Sequence, residues 1–317
     1  MSFTLVLLPP AVAGWAGALV RAVPGIEVLV PRTDGEAAAA LRDADAAVGA
    51  LPPDLLARAR RLRWLQAPQA GPPPGFYHPA LVAHPVVVTN MRDTYTDHVA
   101  AHTVALVLAL ARELPRYARD QRAGRWAPDW AGVLPLTGAA ALVVGTGAIG
   151  AETGRLLAQF GMRVAGVDAR RTEPPPGFTT LGPPAALDHL LPGADVVVLT
   201  VPHTPATEGL IDARRLALFR PSAYLVNVGR GATVRLADLV AALDAGRLRG
   251  AALDVLETEP LPPGHPLWSR DDVLVTPHVA GAGPDGDERR LAVLVENARR
   301  FAAGRELMHV VDKSTWY

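Results

Sequence analysis

Three glycines at fixed spacing are the first residues in this sequence able to do chemistry. The run Leu142-Val-Val-Gly145-Thr-Gly147-Ala148-Ile149-Gly150 leaves an apolar stretch and enters a helical pattern. In that setting Gly145 permits a tight turn, Gly147 lets backbone approach a pyrophosphate, and Gly150 lets helix and strand pack closely. The unpaired N–H groups at the helix start and the positive end of its dipole then hold phosphate, which adds Ala148 and Ile149 to the candidate contacts. Asp168 stands eighteen residues after Gly150, at the end of the next apolar run. There a carboxylate can accept hydrogen bonds from both ribose hydroxyls and repel a 2′-phosphate, which favours NAD over NADP. Arg170 and Arg171 follow at once and could bind that phosphate instead, so NADP stays open. A glycine turn in a nucleotide-free α/β protein is the competing reading; strand, helix and acidic residue all in place weigh against it.

A second set of polar groups ends the later apolar runs: Val201-Pro202-His203, Val228-Gly229-Arg230, Asp254 and Pro277-His278. Ligands of parallel sheets bind beyond the carboxyl ends of the strands, so these residues collect on the same rim as Gly147 and Asp168. Taken singly they are ambiguous. Arg230 could be a salt bridge at a helix start, Glu259 a solvated loop charge and His278 a structural histidine. His98 and His102 stand four apart in a helical pattern, as metal ligands do, but no glutamate follows His98 and no third ligand is evident. No metal is therefore expected. His203 reads as a polar wall of the rim, and Trp126 and Trp130 as packing anchors.

The elements that must position these groups follow from hydrophobic periodicity. Short apolar runs at 4–8, 27–30, 46–49, 64–66 and 86–89 alternate with helical stretches such as 54–63, which predicts a parallel sheet of modest size. The first run ends at Pro9-Pro10 with no Lys or Arg before it, so it reads as a buried strand rather than a leader. From 97 to 121 the pattern becomes one long helix, with Val99, Thr103, Leu106, Leu110, Leu114 and Tyr117 on one face. Pro115 is expected to kink it. A second series has strands at 140–144, 163–167, 195–201, 223–228, 249–254 and 273–276, with helices at 150–160 and 236–245 stopped by Gly161 and Gly246. These near-continuous apolar strands describe a doubly wound sheet buried on both faces. A last helix is expected at 287–303. The predicted fold is α/β, with two Rossmann-like/flavodoxin-like doubly wound parallel-sheet domains. Residues 1–96 plus 288–317 form the substrate domain, 97–287 the dinucleotide-binding domain, and the active-site cleft lies between them.

Composition narrows the classes further. In 317 residues, 31 Lys+Arg balance 31 Asp+Glu, which argues against broad electrostatic binding to nucleic acid or an anionic membrane. Cysteine is absent, which removes disulfides, thiolate nucleophiles and Cys-ligated zinc. No apolar run approaches the roughly 18 residues of a membrane span. A cytoplasmic protein is expected.

Three further stretches carry a resemblance. Asn227-Val-Gly-Arg230-Gly231, Leu253-Asp254-Val-Leu-Glu-Thr-Glu259-Pro260-Leu261 and Thr276-Pro277-His278-Val-Ala280-Gly281 resemble signatures of the D-isomer-specific 2-hydroxyacid dehydrogenases. Val201-Pro-His-Thr-Pro-Ala-Thr207 and Val310-Val311-Asp312 are similar to that family too. The likeness covers nearly the whole chain and is strongest from 97 to 281. It implies that Arg230 clamps a substrate carboxylate and polarises the 2-oxo group. By the same likeness His278 gives or takes the proton, and Glu259 orients its ring. Cofactor contacts are implied at Val201, Pro202, Thr207, Val228, Gly229, Asp254, Ala280 and Gly281, with Asp254 near the nicotinamide or the Arg230 backbone. Backbone N–H groups of Gln69, Ala70 and Gly71 are implied to bind the substrate carboxylate, together with Arg230 and His278. The rigid run Pro72-Pro73-Pro74 that follows departs from the usual loop, as do Gly283 in place of Ser or Thr and Ala101 in place of Glu.

The implied activity is reduction of small 2-oxo acids, such as glyoxylate, hydroxypyruvate or an apolar 2-oxo acid, to D-2-hydroxy acids with NAD(P)H. A two-fold dimer through the 97–121 helix is expected. Two other readings stay open. A formate-type dehydrogenase would pair the histidine with Gln, whereas Glu259 is acidic here, and an NAD(H)-sensing corepressor-like protein would keep the fold without the turnover.

Overall fold

In the computed structural model, residues 2–9, 14–73 and 75–317 are described. Pro10, in the expected strand stop, and Pro74, in the triple-proline run, lie outside them. The chain divides into two compact units, Met1–Thr94 with Gly283–Tyr317, and Tyr95–Ala282.

Among the described residues, the first unit is built on five parallel strands: β1 (Phe3–Leu7), β2 (Ile26–Leu29), β3 (Ala46–Val48), β4 (Trp64–Gln66) and β5 (Val87–Thr89). Their order is β2-β1-β3-β4-β5, the flavodoxin-like arrangement. One face packs Val6, Ala47, Leu65 and Val88 with Leu41, Leu62 and Leu81; the other packs Phe3, Leu5, Val48 and Trp64 with Leu294 and Ala298. Leu294 and Ala298 come from the last helix, Gly286–Ala302, which a buried polar network also ties down. Asn297 Nδ2 donates to Gln66 Oε1 at 3.2 Å and to the Met308 carbonyl at 3.2 Å, and Gln66 Oε1 accepts from Thr89 Oγ1 at 2.8 Å. The expected 54–63 helix is only Pro53–Leu56. Beyond it, Arg58 and Arg61 would repel on one helical face, and Arg61 and Arg63 reach Asp45 instead, at 3.5 and 3.1 Å.

The second unit holds seven parallel strands: β6 (Ala140–Val144), β7 (Arg163–Val167), β8 (Phe178–Gly182), β9 (Val196–Leu199), β10 (Tyr224–Asn227), β11 (Gly250–Leu253) and β12 (Val273–Val275). The order β12-β11-β10-β9-β6-β7-β8 is the doubly wound Rossmann order with one added strand. The strand order reverses between β6 and β9, so the ligand crevice lies beyond their carboxyl ends. Strand β8 is unexpected from the sequence because it is an edge strand with Thr179 and Thr180 in solvent, and shows no apolar run.

The long 97–121 helix is two helices, Thr96–Ala111 and Leu114–Arg122. In an unbroken helix the ring of Pro115 would strike the carbonyl of Ala111, whereas in the first turn of a new helix its missing N–H is harmless. The break is made at Glu113, whose φ is +57°. Its carboxylate accepts from Tyr224 Oη at 3.0 Å and Arg249 Nε at 3.2 Å, which fixes the turn. Trp126 and Trp130 are 97 % and 89 % exposed, so they are not the packing anchors expected. Among the described residues no helix is long and apolar enough to cross a membrane.

Candidate active site

The glycine loop joins β6 to the helix Ala148–Gln159, which starts on Gly147. Gly145 has φ +91°, and its N–H donates to the Val167 carbonyl at 2.8 Å. A Cβ on Gly150 would lie 1.9 Å from the Gly145 carbonyl oxygen and 2.7 Å from Thr200 Oγ1. The sequence therefore needs both glycines for the loop to fold back on itself. The N–H groups of Ala148, Ile149 and Gly150 point out of the first helical turn with no acceptor inside the helix. Such a cradle fits a pyrophosphate.

Asp168, at the carboxyl end of β7, is more engaged than its position suggests. Its Oδ2 accepts from Thr146 N at 2.6 Å and Thr146 Oγ1 at 2.9 Å, and its Oδ1 from Arg170 N at 2.8 Å and Arg171 N at 3.0 Å. Burial alone would push this carboxyl up, but the N–H groups of Arg171, Arg170 and Thr146 and the Thr146 hydroxyl hold it below its ordinary value. An ionised carboxylate has about four lone-pair sites, and all four are met within the protein. The sequence expectation gave those sites to the ribose; Thr146, the middle residue of Gly145-Thr-Gly147, takes two of them. Arg171 Nε donates to the Thr146 carbonyl at 3.2 Å, which sets its guanidinium beside the loop.

The remaining strand ends hold the other groups. After β9, Thr207 Oγ1 donates to the Pro202 carbonyl at 2.7 Å and accepts from Thr204 N at 2.8 Å, so it closes the 201–207 turn that starts at Val201. After β10, the buried Asn227 side chain accepts from Gly229 N and donates to the Arg230 carbonyl, both at 3.1 Å. It shapes the Val228-Gly229-Arg230 turn. Asn227 had no role assigned by sequence reasoning, although an amide ending an apolar strand was the available signal. Arg230 Nη1 donates to the Gly229 carbonyl at 2.6 Å. Burial pushes this guanidinium below its ordinary value, and the Glu259 carboxylate works against that. It stays a cation at neutral pH.

His278 and Glu259 meet. His278 Nδ1 lies 2.7 Å from Glu259 Oε2, and Glu259 Oε1 accepts from Leu256 N at 2.9 Å. A carboxylate only accepts, so Nδ1 carries the hydrogen and Nε2 is the nitrogen left to exchange a proton. The His278 side chain is 51 % exposed. Asp254, 1 % exposed, lies beneath the 276–280 turn. Its Oδ1 accepts from Thr276 Oγ1 at 2.6 Å and Val279 N at 2.9 Å, and its Oδ2 from Ala280 N at 3.0 Å. Gly281 ends that turn beside Tyr95.

Arg230, Glu259, His278, Asp254, Asp168 and the glycine loop thus share the carboxyl-end rim of one sheet. Gln69, Ala70 and Gly71 belong to the first unit, beyond β4, where Met91 N donates to the Gln69 carbonyl at 3.3 Å and Asn90 Nδ2 to the Ala70 carbonyl at 2.9 Å. His98 and His102 do not act as a pair: His98 Nε2 is 3.9 Å from Asp97, and His102 Nε2 is 3.1 Å from Thr276 Oγ1. His203 Nε2 is 3.6 Å from Glu208.

Comparison with known proteins identifies the family. Residues 104–280 match the family described as D-isomer specific 2-hydroxyacid dehydrogenase, NAD binding domain. A glyoxylate reductase of Thermofilum pendens is 36 % identical over 252 residues, covering 75 % of this chain and 73 % of that protein. A D-isomer specific 2-hydroxyacid dehydrogenase of Xanthobacter autotrophicus, solved with NADPH and MES, superposes with a TM-score of 0.86 at 33 % identity over the whole of both chains. An NADPH-dependent glyoxylate/hydroxypyruvate reductase of Sinorhizobium meliloti, solved with NADP and sulfate, gives 0.84 at 28 % identity, again over both whole chains.

Proposed function

The chain belongs to the D-isomer-specific 2-hydroxyacid dehydrogenases, and from that premise we propose that it reduces small 2-oxo acids of the glyoxylate and hydroxypyruvate class to D-2-hydroxy acids, with NADPH as the preferred coenzyme. The observation that carries this reading is the 2.7 Å contact between His278 Nδ1 and Glu259 Oε2, on the rim that also bears the glycine cradle. The nicotinamide, when bound, supplies the hydride.

The protein's own residues do the rest. Glu259 fixes the ring, so His278 presents Nε2–H as the acid that protonates the 2-oxo oxygen in reduction, and bare Nε2 as the base in oxidation. The Glu259 carboxylate stabilises the imidazolium that exists before the proton leaves. Arg230 clamps the substrate carboxylate with a fixed cationic fork, which aims the carbonyl carbon and draws electron density from it. Gly147 and the N–H groups of Ala148, Ile149 and Gly150 would hold the pyrophosphate. NADPH is favoured over NADH because Asp168 spends its lone pairs inside the protein, while Arg170 and Arg171 follow it with two positive charges. The two solved relatives described with NADPH or NADP support the same preference.

A panel of 2-oxo acids assayed with NADPH and NADH tests this, alongside His278→Gln. Turnover of the small acids should be fastest with NADPH, and the variant should lose about 100-fold or more in kcat while NADPH still binds. Negligible turnover of every acid, despite tight coenzyme binding, would replace the reading with that of a coenzyme-sensing protein.

A further inference from the structure

His102 has no part in the reaction as described above. On the helix Thr96–Ala111 its imidazole meets the end of β12, where Nε2 lies 3.1 Å from Thr276 Oγ1 and 3.5 Å from Asp254 Oδ1. We infer that His102 is a positioning residue for His278, acting through Thr276 and Asp254.

The hydrogens along this path are fixed by what each atom can do. Thr276 Oγ1 is 2.6 Å from Asp254 Oδ1. The carboxylate has nothing to donate, so the single hydroxyl hydrogen points to it. Only a lone pair of Thr276 remains for His102, whose Nε2 must therefore carry a hydrogen and donate. The order is His102 to Thr276 to Asp254, each link a donor facing an acceptor.

Asp254 is the seat of the turn that bears His278. Beyond the two N–H groups that reach its carboxylate, from Val279 and Ala280, its backbone carbonyl accepts from His278 N at 2.8 Å. His278 itself has φ +55°, a left-handed conformation that crowds any residue with a Cβ. Such a backbone persists only where its surroundings over-determine it. Asp254 supplies that constraint, and it is buried, so a lone pair left without its donor is not recovered from water. His102 keeps the Thr276 hydroxyl aimed at Asp254 by occupying the other side of the oxygen. Without that donor the hydroxyl can turn away, the turn loosens, and the imidazole drifts from its reacting position. A displacement of about 1 Å at such a place is worth about 100-fold in rate.

The inference rests on the proposed role of His278, and its test separates the two. His102→Leu should lower kcat about tenfold and leave the NADPH Kd within about threefold, because the glycine cradle lies elsewhere on the rim. His102→Gln, which keeps a side-chain N–H donor, should recover kcat to within about threefold of the unmodified enzyme. Thr276→Val should match His102→Leu, and the double variant should fall no further than the worse single one, as linked residues do. Should His102→Leu not fold, Thr276→Ser against Thr276→Val makes the same comparison, with serine active and valine impaired. A His102→Leu enzyme at full kcat, a glutamine variant no better than leucine, or losses that multiply in the double variant would each overturn the inference. If His278→Gln itself keeps full turnover, the fault lies in the underlying role of His278 instead.

Discussion

Removing the two charges after Asp168 should change which coenzyme the protein binds. All four lone-pair sites of the Asp168 carboxylate are met by Thr146, Arg170 and Arg171 donors at 2.6 to 3.0 Å. A ribose hydroxyl must displace one of them, so NADH gains little here. A 2′-phosphate faces two guanidinium groups, each able to make a charge-assisted contact of about 1.5–3 kcal/mol in a shielded site. Arg170 and Arg171 are both exposed, so solvent screening brings the figure to about 0.5–1 kcal/mol apiece. Together they contribute about 1–2 kcal/mol, or about 5- to 30-fold in Kd. Replacing both with alanine should weaken NADPH by that factor and move NADH by less than about threefold, read by calorimetric titration of each coenzyme. The NADPH advantage should also shrink as salt is raised. Thr146→Val, which returns one lone pair to Asp168, should strengthen NADH severalfold. An unmodified protein that binds NADH more tightly than NADPH, or a double variant that loses both equally, refutes the reasoning.

Three other outcomes follow from the geometry. Glu259→Gln keeps a partner for His278 Nδ1 but removes the negative charge 2.7 Å away, so kcat should fall about 10- to 100-fold with coenzyme affinity unchanged in the same titration. Gly150→Ala drives a methyl to 1.9 Å from the Gly145 carbonyl oxygen; overpacking of this kind costs about 1–3 kcal/mol or more, visible as a lower Tm and lost NADPH binding. Asp188 is held at about 2 by its hydrogen bonds to Arg214 and Arg215. A depressed carboxyl adds stability above its unfolded value of about 3.9, and that stability drains away as pH falls toward 2. Asp188→Asn should therefore be less stable than the unmodified protein at neutral pH, with the difference closing by pH 2 in denaturant titrations.

What the sequence revealed depended on distance along the chain. Gly145, Gly147 and Gly150 sit within one strand-turn-helix, and so could be read directly. The position of Asp168 was equally plain, but its partners were not, because Thr146 reads as filler between two glycines until the loop is folded. The split at Glu113 escaped periodicity for a similar reason. Its left-handed backbone is held by Tyr224 and Arg249, more than a hundred residues on, and Pro115 alone allowed either a kink or a break. Strand β8 was missed because an edge strand with exposed threonines has no need of an apolar run. Trp126 and Trp130 misled in the opposite direction: size suggested burial, and nothing local indicated solvent. The likeness to a known family supplied Glu259 as a partner for His278, nineteen residues away, whereas His102 needed the folded helix Thr96–Ala111 to bring it to Thr276, just past β12.

The interrupted path of the first unit bears on how the protein is made. Its sheet presents Phe3, Leu5, Val48 and Trp64 to a face that Leu294, Ala298 and Phe301 later cover. On a ribosome, Tyr95–Ala282 must be threaded out between those two events. At roughly 5–20 residues per second the wait is about ten to forty seconds. For that interval the nascent amino-terminal segment keeps part of that apolar face uncovered, and Gln66 lacks its Asn297 donor, so aggregation competes with folding until the last helix emerges.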